Sequence, residues 1–304
     1  MDIYKKSIVA DLLDFEANEN PLWEKKGSIK TMLKEIVEFQ KRLKTIEVKS
    51  NLICEANKKL LLRFIFTTNK AEDHGFKTLG LVEDCLNVKA AIDRSKLKQN
   101  LSIEEIETLN LHLAFQYLNE IKEDVELRGF LESSILKDVH KLILKDVPLP
   151  PALTKPGTFS KKKRVTKFGG EKYEYPQPDD MEEAVARLLD RYNSLITSVK
   201  NESDEIKKVY DLFKICSVLL FELTDLHPFC DGNGRLCRLL ANYCLSLQAP
   251  FAIPIYIGEN SNELYIQTLI ETRKSDERHP KSLLTMIIES CWITWKEYFK
   301  NLKF

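Results

Sequence analysis

The sequence predicts a mainly α-helical fold, a helical bundle that carries one short β-hairpin. Apolar residues recur at spacings of three and four through most of the 304 residues, which is the period of a helix with one buried face. One segment, Phe168-Gly-Gly-Glu171, instead places a glycine turn between two short alternating runs. A glycine turn flanked in this way is typical of a β-hairpin.

The helices are expected in two regions of the chain. Residues 1–100 are predicted to form an N-terminal helical region, and residues 101–304 the larger domain with the candidate site. Helices are expected near residues 79–93, 103–121, 131–145, 181–197, 262–273 and 280–300. A candidate buried stripe in the first region consists of Trp23, Ile36, Phe39, Leu43 and Ile46.

Composition excludes several functional classes. Forty-six basic and 46 acidic residues cancel, so no net charge favours nucleic acid or an anionic membrane as a partner. No apolar run approaches the ~20 residues of a membrane span, and the N-terminal residues lack a secretory pattern. Seven cysteines without paired spacing indicate reduced thiols. We therefore expect a soluble cytoplasmic protein.

The most informative segment runs from His227 to Arg238 and reads His-Pro-Phe-Cys-Asp-Gly-Asn-Gly-Arg-Leu-Cys-Arg. It lies between two helical patterns, because Pro228 ends the first and Gly232-Asn233-Gly234 stands where the second begins. A helix start offers unpaired N–H groups and a partial positive charge, and two arginines three positions apart share one side of its first turn. The segment predicts a binding site for a phosphate chain.

Two side chains of this segment suit a phosphoryl-type reaction. His227 can accept a proton near neutral pH, and Asp231 is a hard oxygen ligand suited to Mg²⁺ held against phosphate oxygens. A plain turn between packed helices is the simplest alternative, because Asp-Gly and Asn-Gly are common turn formers. A calcium loop of the EF-hand type is excluded by Arg235 at its fifth position, and a Walker loop by the missing Gly-Lys-Ser/Thr.

At these residues the sequence resembles the Fic (Fido) domain family, whose signature is His-Pro-Phe-x-Asp/Glu-Gly-Asn-Gly-Arg-x-x-Arg. All nine fixed positions match. The resemblance implies a Fic-type helical bundle that transfers AMP from Mg·ATP, with Mn²⁺ as an alternative metal, to a Ser, Thr or Tyr hydroxyl of a protein, releasing pyrophosphate. Gly234 favours this reaction over the phosphate transfer of Doc-type kinases.

The resemblance also implies a role for each site residue. His227 would be the base, Asp231 would carry the metal and Arg238 would contact the γ-phosphate. Phe229 would be a buried anchor of the loop. The remaining phosphate contacts would come from Gly232, Asn233, Gly234 and Arg235. Tyr265 would stack near the adenine, although a tyrosine there could equally be packing.

The predicted hairpin corresponds to the family's flap, at about residues 157–176 over the active site. Val165, Thr166 and Phe168 are the candidate residues for target docking, since an open strand edge can pair with a peptide. The sequence departs from the family at Ser160, where an arginine is more usual. The basic run Lys161 to Lys163 is best explained as a solvated face of the hairpin.

An inhibitory motif is the second implication of the resemblance. Many Fic proteins carry a helix reading Ser/Thr-x-x-x-Glu-Gly/Asn, whose glutamate pairs with the last arginine of the signature. Thr68 and Glu72 match this spacing within a helix expected at about 60–75, but Asp73 replaces the final Gly or Asn. A Glu72–Arg238 pair would occupy the cation that the γ-phosphate needs. An ordinary exposed glutamate is the alternative.

Three functions remain open at this point. The first is an AMP transferase that Glu72 restrains. The second is removal of AMP from a modified protein by the same site, with Glu72 positioning a water. The third is a non-catalytic nucleotide-sensing module, although such a module is expected to have lost His227 or Asp231. The partner is expected to be a protein substrate. Its identity, the use of UTP in place of ATP and a homodimeric state stay open.

Overall fold

The computed structural model describes residues 12–24, 27–90, 101–124, 129–150, 155–168, 171–255, 257–258 and 260–304. Within these ranges the chain forms ten α-helices and one two-stranded antiparallel sheet. The predicted fold class, mainly α with one hairpin, is therefore confirmed.

Five helices precede the hairpin and five follow it. The first five are α1 (Ile29–Thr45), α2 (Ser50–Lys70), α3 (Leu79–Lys89), α4 (Ile103–Glu123) and α5 (Ser133–Ile143). The last five are α6 (Met181–Lys200), α7 (Glu205–Leu226), α8 (Asn233–Leu245), α9 (Ser261–Lys274) and α10 (Lys281–Asn301). The six helices expected from residue 79 onwards are present within a few residues of their expected ends, and residues 91–93 lie outside the described part of the chain.

Several helices begin at side chains that satisfy the unpaired N–H groups of a first turn. Ser102 and Glu105 form a reciprocal capping box at the start of α4. Asp204 accepts hydrogen bonds from two backbone N–H groups of α7, and Asp180 accepts one from α6. The helix that starts at the candidate site differs, because Gly232 precedes α8 and provides no side-chain cap.

The core is centred on α7 and α8, which pack closely against each other and are buried over most of their length. One hydrophobic cluster includes residues from both predicted regions, for example Ile36 of α1 and Leu240 of α8. Ile36 is fully buried, whereas Trp23, Phe39, Leu43 and Ile46 are partly buried against the same cluster. The candidate stripe, of which Ile36, Phe39 and Leu43 lie on α1, thus packs into the core that supports α7 and α8.

The helix that carries Thr68 ends earlier than the sequence suggested. We expected it to continue to about residue 75, but α2 ends at Lys70. Asp73 and Gly75 have positive φ angles of 58° and 64°, which a right-handed helix does not accommodate. Glu72 therefore lies on a turn beyond the helix, where its N–H donates to the Asn69 carbonyl at 3.0 Å.

The hairpin consists of β1 (Val165–Phe168) and β2 (Glu171–Glu174), and its glycine turn at 169–170 lies outside the described residues. Val165 pairs with Glu174 and Thr166 with Tyr173. Since side chains alternate between faces, Val165 and Glu174 share one face, and Thr166 and Tyr173 share the other.

All seven cysteines have free thiols, as the sequence indicated. In the described part of the chain, no helix combines the length and the apolar character needed to cross a membrane.

Candidate functional site

The turn between α7 and α8 is built from two left-handed backbone positions. His227 caps the end of α7 with φ 49° and ψ 58°, and Gly232 precedes α8 with φ 72°. Glycine adopts this conformation without penalty, whereas a histidine does so at some cost. These two left-handed positions stand at the two ends of the turn, which runs from His227 to Gly232 and leads directly into α8.

Asn233 holds this turn in shape. Its side-chain amide donates to the Phe229 carbonyl at 2.8 Å, and its side-chain oxygen accepts from the Phe229 N–H at 3.0 Å. Both residues are buried, so these bonds replace hydration that the Phe229 backbone has lost. The Asn233 side chain is therefore engaged within the loop, so the phosphate contact predicted for this residue would come from its backbone.

His140 fastens the turn from the side of α5. Its Nε2 bonds the Asp231 carbonyl at 2.9 Å, its Nδ1 accepts from the Gly157 N–H at 2.8 Å, and its ring stacks on Phe229 at 3.8 Å. Burial lowers the pKa of His140 to about 4, so the ring is neutral and can serve as donor and acceptor at once. Sequence reasoning missed this residue, although a histidine on the apolar face of a helix was a usable signal.

His227, the candidate base, is flanked by an aromatic ring. Its imidazole stacks on Tyr175 with ring centres 3.9 Å apart and planes 12° from parallel. Burial lowers the pKa of His227 to about 4, and the charges of Arg164 and Arg273 act in the same direction, against the Thr224 carbonyl and Glu72. The imidazole is consequently neutral at pH 7 and able to accept a proton.

Arg235 is a buried cation without a hydrogen-bond partner in the described residues. Its side chain is among the most buried in the chain, at 1% exposure, and Nε, Nη1 and Nη2 all lack a partner there. Burial lowers its pKa, while the nearby charges of Asp231, Glu107 and Glu72 favour the protonated form. A buried guanidinium with no bonded anion costs several kcal/mol, so an anionic ligand would be favoured at this position.

Arg238, one turn along α8, is already paired. Its Nη1 donates to Glu72 Oε1 at 2.5 Å, and the side chains are 4% and 34% exposed. The same carboxylate lies directly against Gly234, where an added Cβ atom would be 2.0 Å from Glu72 Oε1. Thr68, the other residue of the motif, is buried in the last turns of α2. Glu72 thus occupies the side of the helix start on which the sequence placed a phosphate.

The turn that carries Glu72 is bound to α4 through Glu107. One oxygen of this buried carboxylate bonds His74 Nδ1 at 2.6 Å, and the other accepts from the Gly75 N–H at 2.7 Å. Burial acts to raise the pKa of Glu107, but the bonds to His74 and Gly75 bring it below its usual value. Sequence reasoning missed Glu107 because a lone glutamate on a helix carries no pattern.

Asp231, the candidate metal ligand, lies at the mouth of the turn. Its Oδ1 accepts from the Gly232 N–H at 2.6 Å. No group of three or more His, Cys, Asp or Glu residues that could hold a metal occurs among the described residues. A divalent ion at Asp231 would therefore take its remaining ligands from substrate phosphates and water, which is how Mg²⁺ is usually bound.

Tyr265 has a setting other than an open adenine face. It is 5% exposed, its ring centre lies 5.6 Å from Arg238 Cζ, and its hydroxyl is 3.3 Å from Thr224 Oγ1. The ring packs against the guanidinium of Arg238. The contact with adenine that the resemblance implies for Tyr265 stays a prediction.

The hairpin is attached to the motif turn at its base. The Ser160 N–H donates to the Pro228 carbonyl at 2.8 Å, so the residue that departs from the family pattern forms a backbone connection between flap and turn. Val165 is 45% exposed. Phe168 closes β1, and Thr166 pairs with Tyr173 of β2. Lys161, Lys162 and Lys163 are all exposed, which agrees with their assignment to a solvated face.

Comparison with known proteins identifies the family. The model of the Fic/DOC family matches residues 130–245. A Fido domain-containing protein of Dictyostelium discoideum is 30% identical over 142 residues, which are 45% of this chain and 88% of that protein. A protein adenylyltransferase Fic of Nematostella vectensis is 24% identical over 284 residues, 91% of this chain. The chain spans 59% of the length of that second relative.

Solved structures agree on the fold. A crystal structure of a Fic domain containing signaling protein from Bacteroides thetaiotaomicron superposes with a TM-score of 0.70 at 18% identity, over 90% of this chain and 97% of that one. Fic-1 from C. elegans gives a TM-score of 0.66 at 16% identity, over 90% of this chain and 73% of that one. From its signature, its family match and its fold, the chain belongs to the Fic (Fido) family.

Proposed function

We propose that this protein is a protein adenylyltransferase, which transfers AMP from Mg·ATP to a hydroxyl group of a target protein, and that Glu72 restrains this activity. The observation that carries the proposal is Arg235, a buried guanidinium that lacks a partner in the described chain at the start of α8. The curated relatives named protein adenylyltransferase support the same reaction class.

The phosphate chain fits the start of α8. Gly232 and Gly234 have no side chain that would separate a phosphate from the backbone once Glu72 is displaced, the first N–H groups of the helix are not capped by a side chain, and Arg235 supplies a fixed positive charge. Each of these groups favours an anion. Together they would bind the phosphates and neutralise the charge that develops on them during transfer.

The chemical step needs a base and a leaving group. The target hydroxyl oxygen forms a bond to the α-phosphorus, the bond from that phosphorus to the bridging oxygen breaks, and pyrophosphate leaves with the electron pair. The hydroxyl proton passes to His227. The lowered pKa of about 4 keeps His227 unprotonated and ready at pH 7, and neighbouring phosphate charges would raise its basicity once substrate is bound.

Mg²⁺ would bind at Asp231, whose carboxylate lies beside the helix start. When bound, it would neutralise phosphate charge and orient the chain of phosphates. Asp231 also helps to position Gly232, the first of the proposed phosphate-binding residues, because its side chain accepts a hydrogen bond from the Gly232 N–H.

Restraint by Glu72 follows from competition for the same cation. Glu72 pairs with Arg238 and covers Gly234, so a γ-phosphate directed to Arg238 would have to displace one carboxylate. We propose that the protein with Glu72 in this position binds ATP in a way that does not support transfer.

The test uses three forms of the full chain: wild type, Glu72→Gly and Glu72→Gly/His227→Ala. Each is incubated with ATP labelled at the α-phosphate, Mg²⁺ and a cell lysate, and label on protein is measured. We expect weak labelling by wild type, a gain of about tenfold or more for Glu72→Gly, and loss of labelling in the double variant. Equal labelling by wild type and Glu72→Gly would contradict restraint, and labelling that persists without His227 would contradict its role as base.

Removal of AMP is a second candidate, and one observation favours it. The charge of Glu72 acts on both His227 and Tyr175, so a carboxylate that could hold a water lies within electrostatic reach of the proposed base. A hydrolase would lose activity on a modified protein when Glu72 becomes glycine, whereas a restrained transferase gains activity. A binding module without catalysis would retain ATP binding in all three forms and label nothing.

A further inference from the structure

We propose that Tyr175 is a positioning residue for the base, which holds the imidazole of His227 in a fixed plane and links its orientation to the flap. The inference rests on the proposed function, because it assigns His227 the role of base. It starts from the stacked contact between these two rings, with centres 3.9 Å apart and planes 12° from parallel.

The need for such a contact follows from the backbone at His227. The residue stands at the left-handed end of α7 with φ 49°, where its N–H donates the last hydrogen bond of the helix, to the Leu223 carbonyl at 3.0 Å. An imidazole on a turn can rotate about its side-chain bonds unless a neighbour fills the space beside its face. Tyr175 is buried, at 6% exposure, and supplies a flat surface on one side of the ring.

Tyr175 is itself held by a chain of contacts that returns to α7. Tyr173 meets its ring edge-on, with centres 5.3 Å apart. The Tyr173 hydroxyl donates to Asp225 Oδ1 at 2.6 Å, and Asp225 lies two residues before His227. The base, the two tyrosines and the end of α7 thus form a closed ring of contacts.

Two arginines complete the anchor at Asp225. Arg273 Nε bonds Asp225 Oδ1 at 2.7 Å, and Arg278 Nη2 bonds Oδ2 at 2.6 Å. Asp225 is 4% exposed, and the Arg273 guanidinium also covers the Tyr173 ring at 4.1 Å. A buried carboxylate that is bonded to two guanidinium groups and a phenol is held rigidly. A rigid partner of this kind is needed if the two tyrosines are to orient the His227 side chain.

The hairpin would link the orientation of the His227 ring to binding of the target protein. Tyr173 lies on β2 opposite Thr166 of β1, and the Tyr175 N–H donates to the Arg164 carbonyl at 3.0 Å just beyond the paired strands. A target segment that pairs with the edge of β1 would restrict the same backbone that carries both tyrosines. Binding of the target would therefore fix the plane of the base at the moment when it is needed.

The experiment compares Tyr175→Phe with Tyr175→Leu, each in the Glu72→Gly background. Phenylalanine keeps the flat face, whereas leucine removes it at similar volume. We expect Tyr175→Leu to lower kcat for label transfer by about tenfold or more with the KM for ATP unchanged, and Tyr175→Phe to stay within about threefold. Tyr117→Leu is the matched control, since Tyr117 is a partly buried tyrosine bonded to Asp138 at 3.4 Å and belongs to another part of the fold.

A second readout does not depend on activity. The nuclear magnetic resonance signal of the His227 Cε1 proton is followed with pH in the same variants without substrate. Leucine should remove the ring-current shift that a stacked tyrosine causes, while phenylalanine should preserve it.

Unchanged kcat for Tyr175→Leu in an active background would overturn the proposal, as would a Tyr175→Phe variant that loses as much as the leucine variant. If the Glu72→Gly parent transfers no label, the adenylyltransferase function fails. The resonance of His227 then still decides whether Tyr175 orients it. If the leucine variant does not fold, Tyr175→Met takes its place in both measurements.

Discussion

Two segments meet at the start of α8, and they are held there by different forces. The motif turn is fixed by buried contacts, namely the two Asn233–Phe229 hydrogen bonds and the neutral ring of His140. The segment with Glu72 follows α2 through backbone hydrogen bonds but is held to the rest of the site by charged side chains, Arg238 and Glu107, and its side chains at Glu72 and His74 remain about one third exposed. The difference indicates that the turn is a permanent structure, whereas the Glu72 segment can be displaced without unfolding the core.

The largest effect is expected from Asn233→Ala, which removes the bonds that shape the turn. Two buried backbone groups of Phe229 lose their partners, which should cost about 3 kcal/mol of the free energy of unfolding. The proposed base and the proposed phosphate-binding groups at the start of α8 would then be misplaced. Label transfer should fall roughly a hundredfold in the Glu72→Gly background. Chemical denaturation and the labelling assay measure the two effects.

Asn242→Ala is the control on the same helix, because the Asn242 side chain donates to the Ile253 carbonyl at 3.2 Å and is buried to a similar degree. It should lose stability but retain transfer. Equal loss of transfer in both variants would show that the assay responds to stability and not to the shape of the turn.

The next largest effect is a loss of folding stability in acid, which comes from His227 of the motif turn and from His140, which packs against that turn. His140 and His227 have folded pKa values of about 4, below the value near 6.5 of an unfolded histidine. Their contribution is therefore fully present above pH 6.5 and is lost as pH falls from 6.5 towards 4. Each can contribute a slope of at most about 1.4 kcal/mol per pH unit in that range.

Urea unfolding at several pH values between 6.5 and 5 tests this prediction. The range lies above the region in which Glu107, with its pKa below the ordinary carboxylate value, begins to take up a proton. A free energy of unfolding that does not change over the range would contradict the neutral, buried state of the two histidines.

The smallest effect is expected from the charged segment. Glu107→Gln keeps one hydrogen bond acceptor for Gly75 but removes the charge that binds His74. Glu72 should then leave Arg238 part of the time. Labelling by Glu107→Gln should be severalfold higher than labelling by wild type, but lower than labelling by Glu72→Gly. Glu104→Gln, on the first turn of the same helix, is the control and should leave labelling unchanged. A Glu107→Gln variant as silent as wild type would show that the Glu72–Arg238 pair holds without this support.

The sequence predicted the motif turn well because local rules govern it. A proline, a glycine with positive φ and a helical period on both sides act over a few residues. Such local rules do not predict contacts with residues on elements that are distant along the chain. His140, Glu107, Tyr175 and Asp225 are separated from the residues they position by the packing of α4, α5, α7 and β2, which no short pattern encodes. The end of α2 was also misplaced, because Asp73 adopts a left-handed angle that its residue type permits but does not require.

The left-handed backbone at His227 has a consequence for how this protein can change by mutation. Glycine or asparagine would adopt φ 49° with less strain than histidine, although either would lose the stacked contact with Tyr175. The backbone angle by itself therefore gives no reason to have a histidine at this position. The proposed role of His227 as base would supply the reason that the backbone angle does not.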